Sequence, residues 1–229
     1  MAEMVRLSRV NKSYGAGELR TQVLFDVGLA FEEGSFNSII GASGSGKTTL
    51  LNLIGTLDRP DSGEVWIAGQ RADGMKRNQL ATLRNETLGF VFQFHYLLPE
   101  FSALENVLMP SLIAGKGAGQ EARDRARQLL GLVGLSQVQN NLATKMSGGQ
   151  QQRTAIARAL MNRPRIILAD EPTGNLDSDT SDNIYKLFRK INEETRTTFI
   201  VITHDRRIAE RTDRIVEISD GRIRMDVKR

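Results

Sequence analysis

The run Gly41-Ala42-Ser43-Gly44-Ser45-Gly46-Lys47-Thr48 carries the residue types that hold a chain of phosphates. Its glycines let successive backbone N–H groups turn inward, and a helix starting at once behind them brings about half a positive charge to the same point. Lys47 reaches the β- and γ-phosphates, the Thr48 hydroxyl ligates Mg²⁺, and Thr49 completes the nucleotide-binding set. A bare glycine-rich turn would need neither the lysine nor the hydroxyl. Far downstream, the apolar run Ile166-Ile-Leu-Ala-Asp170-Glu171 ends in two acids, which is costly without a cation nearby. Asp170 is expected to hold Mg²⁺, commonly through water, and Glu171 to face the attacking water as its base. Between these sites, Ser147, Gly148, Gly149 and Gln150 open a helix, and a serine with two glycines there forms a second anion site. One chain has little use for a second γ-phosphate cradle of its own. This one is expected to serve the nucleotide of another copy; the bland alternative is a simple helix cap.

Those residues need elements to carry them. Strand-like runs rich in β-branched and aromatic residues occur at Phe36–Ile40, Glu64–Ala68, Leu88–Phe92, Arg165–Asp170, Thr198–Thr203 and Arg214–Ile218. Most lack strict alternation, as strands buried on both faces do. Helical stretches lie between them at Lys47–Gly55, Gln120–Leu130, Gly148–Met161 and Ser178–Asn192. Strands alternating with helices imply an α/β fold with a mainly parallel sheet. From about Leu97 to Asn162 no strand run occurs, so a helical insert between two parts of one sheet is expected. The reading is one domain over 1–229, with an α/β core at 1–93 and 163–229 and a helical subdomain at 94–162.

Composition removes several classes. At 229 residues, 40% hydrophobic and 25% charged, the chain is neither disordered, collagen-like nor peptide-sized. No stretch approaches the roughly 18–20 uninterrupted apolar residues that cross a bilayer. Met1-Ala-Glu-Met-Val-Arg lacks the basic and apolar regions of a secretory signal, so a place inside the cell is expected. With no cysteine there is no disulfide or thiolate chemistry, and two histidines do not support a polyhistidine metal centre. The net charge of +4 is spread along the chain, and nucleic acid is not expected as a partner.

A phosphate loop alone leaves GTPases, kinases, helicases and transport ATPases open. Met146-Ser147-Gly148-Gly149-Gln150-Gln151-Gln152-Arg153 resembles the signature motif of the ATP-binding-cassette (ABC) family, and the resemblance extends from Tyr14 to His204. It implies that Tyr14 stacks on adenine and that Gln93 contacts Mg²⁺ and water while hinging the helical insert. It implies that Asn175-Leu176-Asp177 is the D-loop, and that His204 contacts the γ-phosphate and helps hold the attacking water. The implied fold is a P-loop NTPase core with an N-terminal antiparallel β layer and a helical subdomain. The implied assembly is a head-to-tail pair with each ATP between the P-loop of one copy and Ser147, Gly148 and Gly149 of the other. Met146 stands where leucine is commonest in the family, a similarly sized apolar swap.

The run Glu171-Pro-Thr-Gly-Asn-Leu-Asp177 and the short insertion Gly15–Thr21 resemble the macrolide-exporter and lipoprotein-release group, and Phe92 to Val107 looks most like its lipoprotein-releasing members. That implies an ATPase powering a separate permease from the cytoplasmic face of the inner membrane, where it is peripheral. Related macrolide, peptide or haem exporters and cell-division signalling ATPases are the alternatives. The aromatic stretch Phe94–Phe101 is too apolar for a freely solvated connection, so it is expected to contact that permease or to pack within the domain.

Overall fold

Phe36–Ile40 has no exposed residue, and neither does Thr198–Ile202. Runs buried on both faces can only sit inside a sheet covered on both sides. The computed structural model describes residues 2–229. In chain order these form β1 (Glu3–Tyr14), β2 (Thr21–Glu32), β3 (Phe36–Ile40), α1 (Lys47–Ile54), β4 (Ser62–Ile67), β5 (Gln70–Arg71), α2 (Arg77–Thr87) and β6 (Leu88–Phe92). There follow α3 (Ala103–Ile113), α4 (Gln120–Leu132), α5 (Gly148–Ala159), β7 (Ile166–Asp170), α6 (Ser178–Thr195), β8 (Thr198–Ile202), α7 (Arg206–Ala209), β9 (Arg214–Ser219) and β10 (Arg222–Lys228).

The main sheet runs β10-β9-β3-β8-β7-β6, parallel except for β10, which pairs antiparallel with β9. A second, antiparallel sheet runs β2-β1-β4-β5. Two cores result. One fills the space between the antiparallel sheet, α1 and one face of the main sheet, with Phe31, Leu50, Ile54 and Ile200 fully buried. The other lies between the opposite face and α3 to α6, where Phe199 meets Phe36 edge-on at 5.4 Å and tilts against Phe188 at 5.2 Å.

The six strand runs expected from sequence are all present, with ends shifted by up to two residues. Strands β1, β2 and β10 and helix α2 carried no such signal. Of β10 only Ile223 is even partly buried. In α2 only Leu80, Leu83 and Thr87 are buried, on an otherwise polar helix.

The parallel register fixes the site. Phe92 sits beside Asp170, and Asp170 beside Ile202, so β6, β7 and β8 end level with one another. Gln93, Glu171 and the segment leading to His204 therefore leave the sheet along one edge, the edge where β3 delivers Gly41. Ligand sites of open α/β sheets lie outside these carboxyl ends.

Candidate functional site

The loop after β3 is shaped by glycines. Gly41, Gly44 and Gly46 have φ of 153°, 76° and 106°. At Gly41 a Cβ would lie 2.2 Å from the Ile218 carbonyl oxygen, so only glycine fits. Gly46 caps α1 without any side-chain hydrogen bond, leaving the first-turn N–H groups free to point at an anion. Lys47 is buried, and its Nζ donates to the carbonyls of Gly41 (2.9 Å) and Ala42 (2.8 Å), which fold it over the loop. Ser45 is buried within the loop and its N–H donates to Ala42, closing the turn.

Around this loop lies a cleft of about 640 Å³ lined by Tyr14, Ser43, Thr48, Thr49, Gln93, Asp170, Glu171 and His204 together with Gly41, Gly44, Gly46 and Lys47. Thr48 Oγ1 donates to Asp170 Oδ2 at 3.3 Å. Burial pushes the Asp170 carboxyl up, as does the neighbouring charge of Glu171, against the opposing Thr48 bond and Lys47 charge. Glu171 Oε2 pairs directly with His204 Nδ1. The Glu171 backbone has φ of 47°, a left-handed conformation that non-glycine residues hold only where the surroundings enforce it, and such residues cluster at functional sites. Gln93 reaches Asn175 Oδ1 at 3.4 Å.

Tyr14 stands at the cleft rim, 42% exposed, with its hydroxyl donating to Asp58 Oδ2 at 2.8 Å and the Lys12 ammonium 4.9 Å from its ring centre. Burial raises the Tyr14 phenol, and the Asp58 bond adds to it. Burial also opposes the charge of Asp58, but bonds from Lys12 (2.7 Å) and Tyr14 outweigh it and hold this carboxyl below its usual range. Asp58→Asn is expected to cost about 2 kcal/mol at neutral pH, because the nearly buried Lys12 loses its charged acceptor. A depressed folded value makes that contribution present above the ordinary carboxylate pKa and lost as pH falls through the folded value. Thermal melts at about pH 7 should therefore separate variant from parent, and the separation should shrink as the pH is lowered through the folded value.

Ser147, Gly148, Gly149, Gln150 and Asp177 do not line this cleft. Ser147 caps α5, accepting the Gln150 N–H at 3.3 Å while Gln150 Oε1 accepts the Ser147 N–H at 2.9 Å; Ser147 and Gly148 are exposed. Gly149 approaches α6, where an added Cβ would come within 3.0 Å of Thr180. Asp177 caps α6 by accepting from Thr180 N at 2.9 Å and Thr180 Oγ1 at 2.7 Å.

Three residues went unread in the sequence. Asp58 is one. The others lie along α5: Gln152 donates to the Pro172 carbonyl at 2.6 Å, and Arg158 donates to the carbonyls of His95 (2.7 Å) and Tyr96 (2.6 Å). The polar stretch of α5 gives no sign that two of its side chains turn inward. His95 is half-buried, and burial holds its imidazole below the usual value, with the Arg158 charge adding to it against a bond from Gln151.

A phosphate loop and a glutamate–histidine pair on the C-terminal edge of a parallel sheet, with a helical insert between β6 and β7, define an ATP-binding cassette. The chain belongs to the ABC transporter family, whose model matches residues 24–174, and it is an ATPase of the ABC type. It is 51% identical to the lipoprotein-releasing system ATP-binding protein LolD of Anaeromyxobacter dehalogenans, over 97% of this chain and 93% of that protein. It is 46% identical to LolD of Xanthomonas campestris pv. campestris, with the same two coverages of 97% and 93%. Among solved structures, the ATP-binding cassette MJ0796, a dimer in a post-hydrolysis state bound to ADP and Pi, superposes with a TM-score of 0.91 at 45% identity, covering 98% of each chain.

Proposed function

We propose that this chain is the ATP-hydrolysing subunit of a lipoprotein-releasing transporter, peripheral at the cytoplasmic face of the inner membrane. The observation that carries the reading is the convergence in one cleft of the phosphate loop, the Thr48–Asp170 pair and the Glu171–His204 pair. In this reading the triphosphate lies on residues 41–49, Lys47 leaves its two carbonyls for the β- and γ-phosphates, and Tyr14 stacks on adenine. Glu171 takes a proton from the attacking water, while His204 releases the glutamate for the γ-phosphate and Gln93 helps orient the water. Thr48 and Asp170, two hard oxygen donors 3.3 Å apart beside the loop, suit Mg²⁺, and the burial that penalises an ionised Asp170 favours a cation there. Thr48, Asp170 and Gln93 would hold the ion, which would offset charge on the β- and γ-phosphates.

The exposed Ser147, Gly148 and Asp177 and the half-buried Gly149 and Gln150 serve the nucleotide held by a second copy packed head to tail. The dimeric MJ0796 cassette supports that arrangement. We take 1–93 and 163–229 as the ATP-binding core and 94–162 as the subdomain that carries the signature to the other copy.

Permease docking is assigned to the surface that Phe94–Phe101 flanks. A groove of about 600 Å³ runs there between core and insert, walled by Phe90, Phe92, Tyr96, Leu98, Met109 and Ile113. Phe94 and Tyr96 are 62% and 66% exposed, whereas Leu97 packs inward, so one stretch serves both packing and recognition. No described helix is long and apolar enough to cross a membrane. Reconstitution with the permease of a lipoprotein-releasing system should give ATP-dependent release of lipoprotein from the membrane. Tyr96→Ala with Leu98→Ala should lower permease affinity by a few kcal/mol and abolish release, leaving ATPase activity of the isolated chain near parental. Normal permease binding with a destabilised isolated chain would remove the groove from the interface, and no release with any such permease would refute lipoprotein release.

A further inference from the structure

Gln152, two residues beyond Gln150 in the signature run, lies on the side of α5 turned away from solvent and is completely buried. Its amide nitrogen donates to the Pro172 carbonyl at 2.6 Å and reaches the Phe92 carbonyl at 3.4 Å. Its Oε1 has no partner among the described residues. Both facing atoms are carbonyl oxygens, so only the NH₂ end of the amide can point at them, and the orientation is fixed by chemistry. A buried acceptor left unpaired is a standing cost, one a purely packing residue at this position would avoid by being apolar.

The two carbonyls are not arbitrary. Pro172 directly follows Glu171, Phe92 directly precedes Gln93, and Phe92 and Asp170 are register partners on β6 and β7. One side chain thus grips both strand exits that carry the water-handling residues. Glu171, between β7 and this grip, holds a left-handed backbone, so a pull on Pro172 acts on the torsions that aim its carboxylate.

We infer that Gln152 is a positioning residue that ties Glu171 and Gln93 of one copy to its own signature helix, so that docking of Ser147–Gln150 on the other copy's ATP sets the hydrolytic geometry at home. The inference rests on the proposed head-to-tail reading. A helix is stiff, and its N-terminus and Gln152 lie within two turns, so a shift imposed at Ser147 arrives at Pro172 nearly undiminished. Each site then fires only when the other is filled.

The purified full chain with Mg²⁺ and ATP tests this. Gln152→Met keeps length, volume and helix propensity but removes the donor. Nucleotide affinity of the monomer and ATP-driven dimerisation, the latter measured in the Glu171→Gln background, should stay parental. The kcat should fall about tenfold at unchanged KM, equivalent to about 1.4 kcal/mol of transition-state positioning. The Hill coefficient for ATP should drop toward unity. Gln152→His, whose ring N–H reaches about as far as the amide, should restore both. If Gln152→Met folds poorly, Gln152→Asn, which keeps an amide too short for either carbonyl, should give the same result. A lowered melting temperature with kcat and Hill coefficient intact would overturn the proposal, and so would equal loss in the Met and His variants. Failure of the head-to-tail reading looks different: Glu171→Gln with Gln152 in place would not dimerise on ATP, and the proposal would fall with it.

Discussion

Glu171→Gln stalls the cycle with ATP bound. The amide still hydrogen-bonds water through its oxygen but takes no proton from it, so turnover should fall about 10²–10⁴-fold, the usual worth of a placed general base. ATP affinity should hardly change, because the contacts of the phosphate loop, Lys47 and Thr48 are untouched. The amide also loses the charge that pairs with His204, which frees the imidazole for the γ-phosphate. Dimers should therefore accumulate on ATP and persist, which size-exclusion chromatography with and without nucleotide reads directly. Hydrolysis near the parental rate would take the base assignment away from Glu171.

The second large effect is at Ser147. Ser147 is exposed at the helix start, and in the proposed head-to-tail pair Ser147→Arg would fill the place of the other copy's phosphates with a long side chain. ATP-driven dimerisation should be lost entirely while the monomer still binds nucleotide, since Ser147 lies outside its own cleft. Lys47→Ala should fail for the opposite reason, by losing the phosphate contact. A mixture of the two variants is the sharper measurement. One interface of the mixed dimer joins an intact phosphate loop to an intact signature, so the mixture should dimerise where neither parent does. No gain on mixing would argue against a signature that works between copies.

The phosphate site was legible because its chemistry is local. A glycine loop, a lysine and a hydroxyl within eight consecutive residues state their purpose without help from the fold. The buried strands were legible for a related reason, since short runs rich in β-branched and aromatic residues without strict alternation have few other uses. Strands β1 and β2 were not, because register shifts and left-handed residues at Arg9 and Asp26 break the alternation that would have marked them. The roles of Asp58, Gln152 and Arg158 were invisible because they depend on partners 44, 20 and 62 residues away. No spacing rule reaches so far; only the folded register of β6 and β7 gives Gln152 two carbonyls to hold.

One outer strand of the main sheet, β10, has a consequence for how copies of the chain meet. Arg222, Arg224, Asp226 and Lys228 punctuate β10, so its free edge presents alternating bulk and charge to any passing strand. Sheet extension along this border, a cheap way for two copies to stick together, is thereby disfavoured. The contact proposed between copies is of another kind, because its glue is a nucleotide and can be hydrolysed. In the proposed head-to-tail cycle, copies that meet and part at every turnover need an encounter that is erasable, and the charged border keeps permanent pairing through β10 from competing.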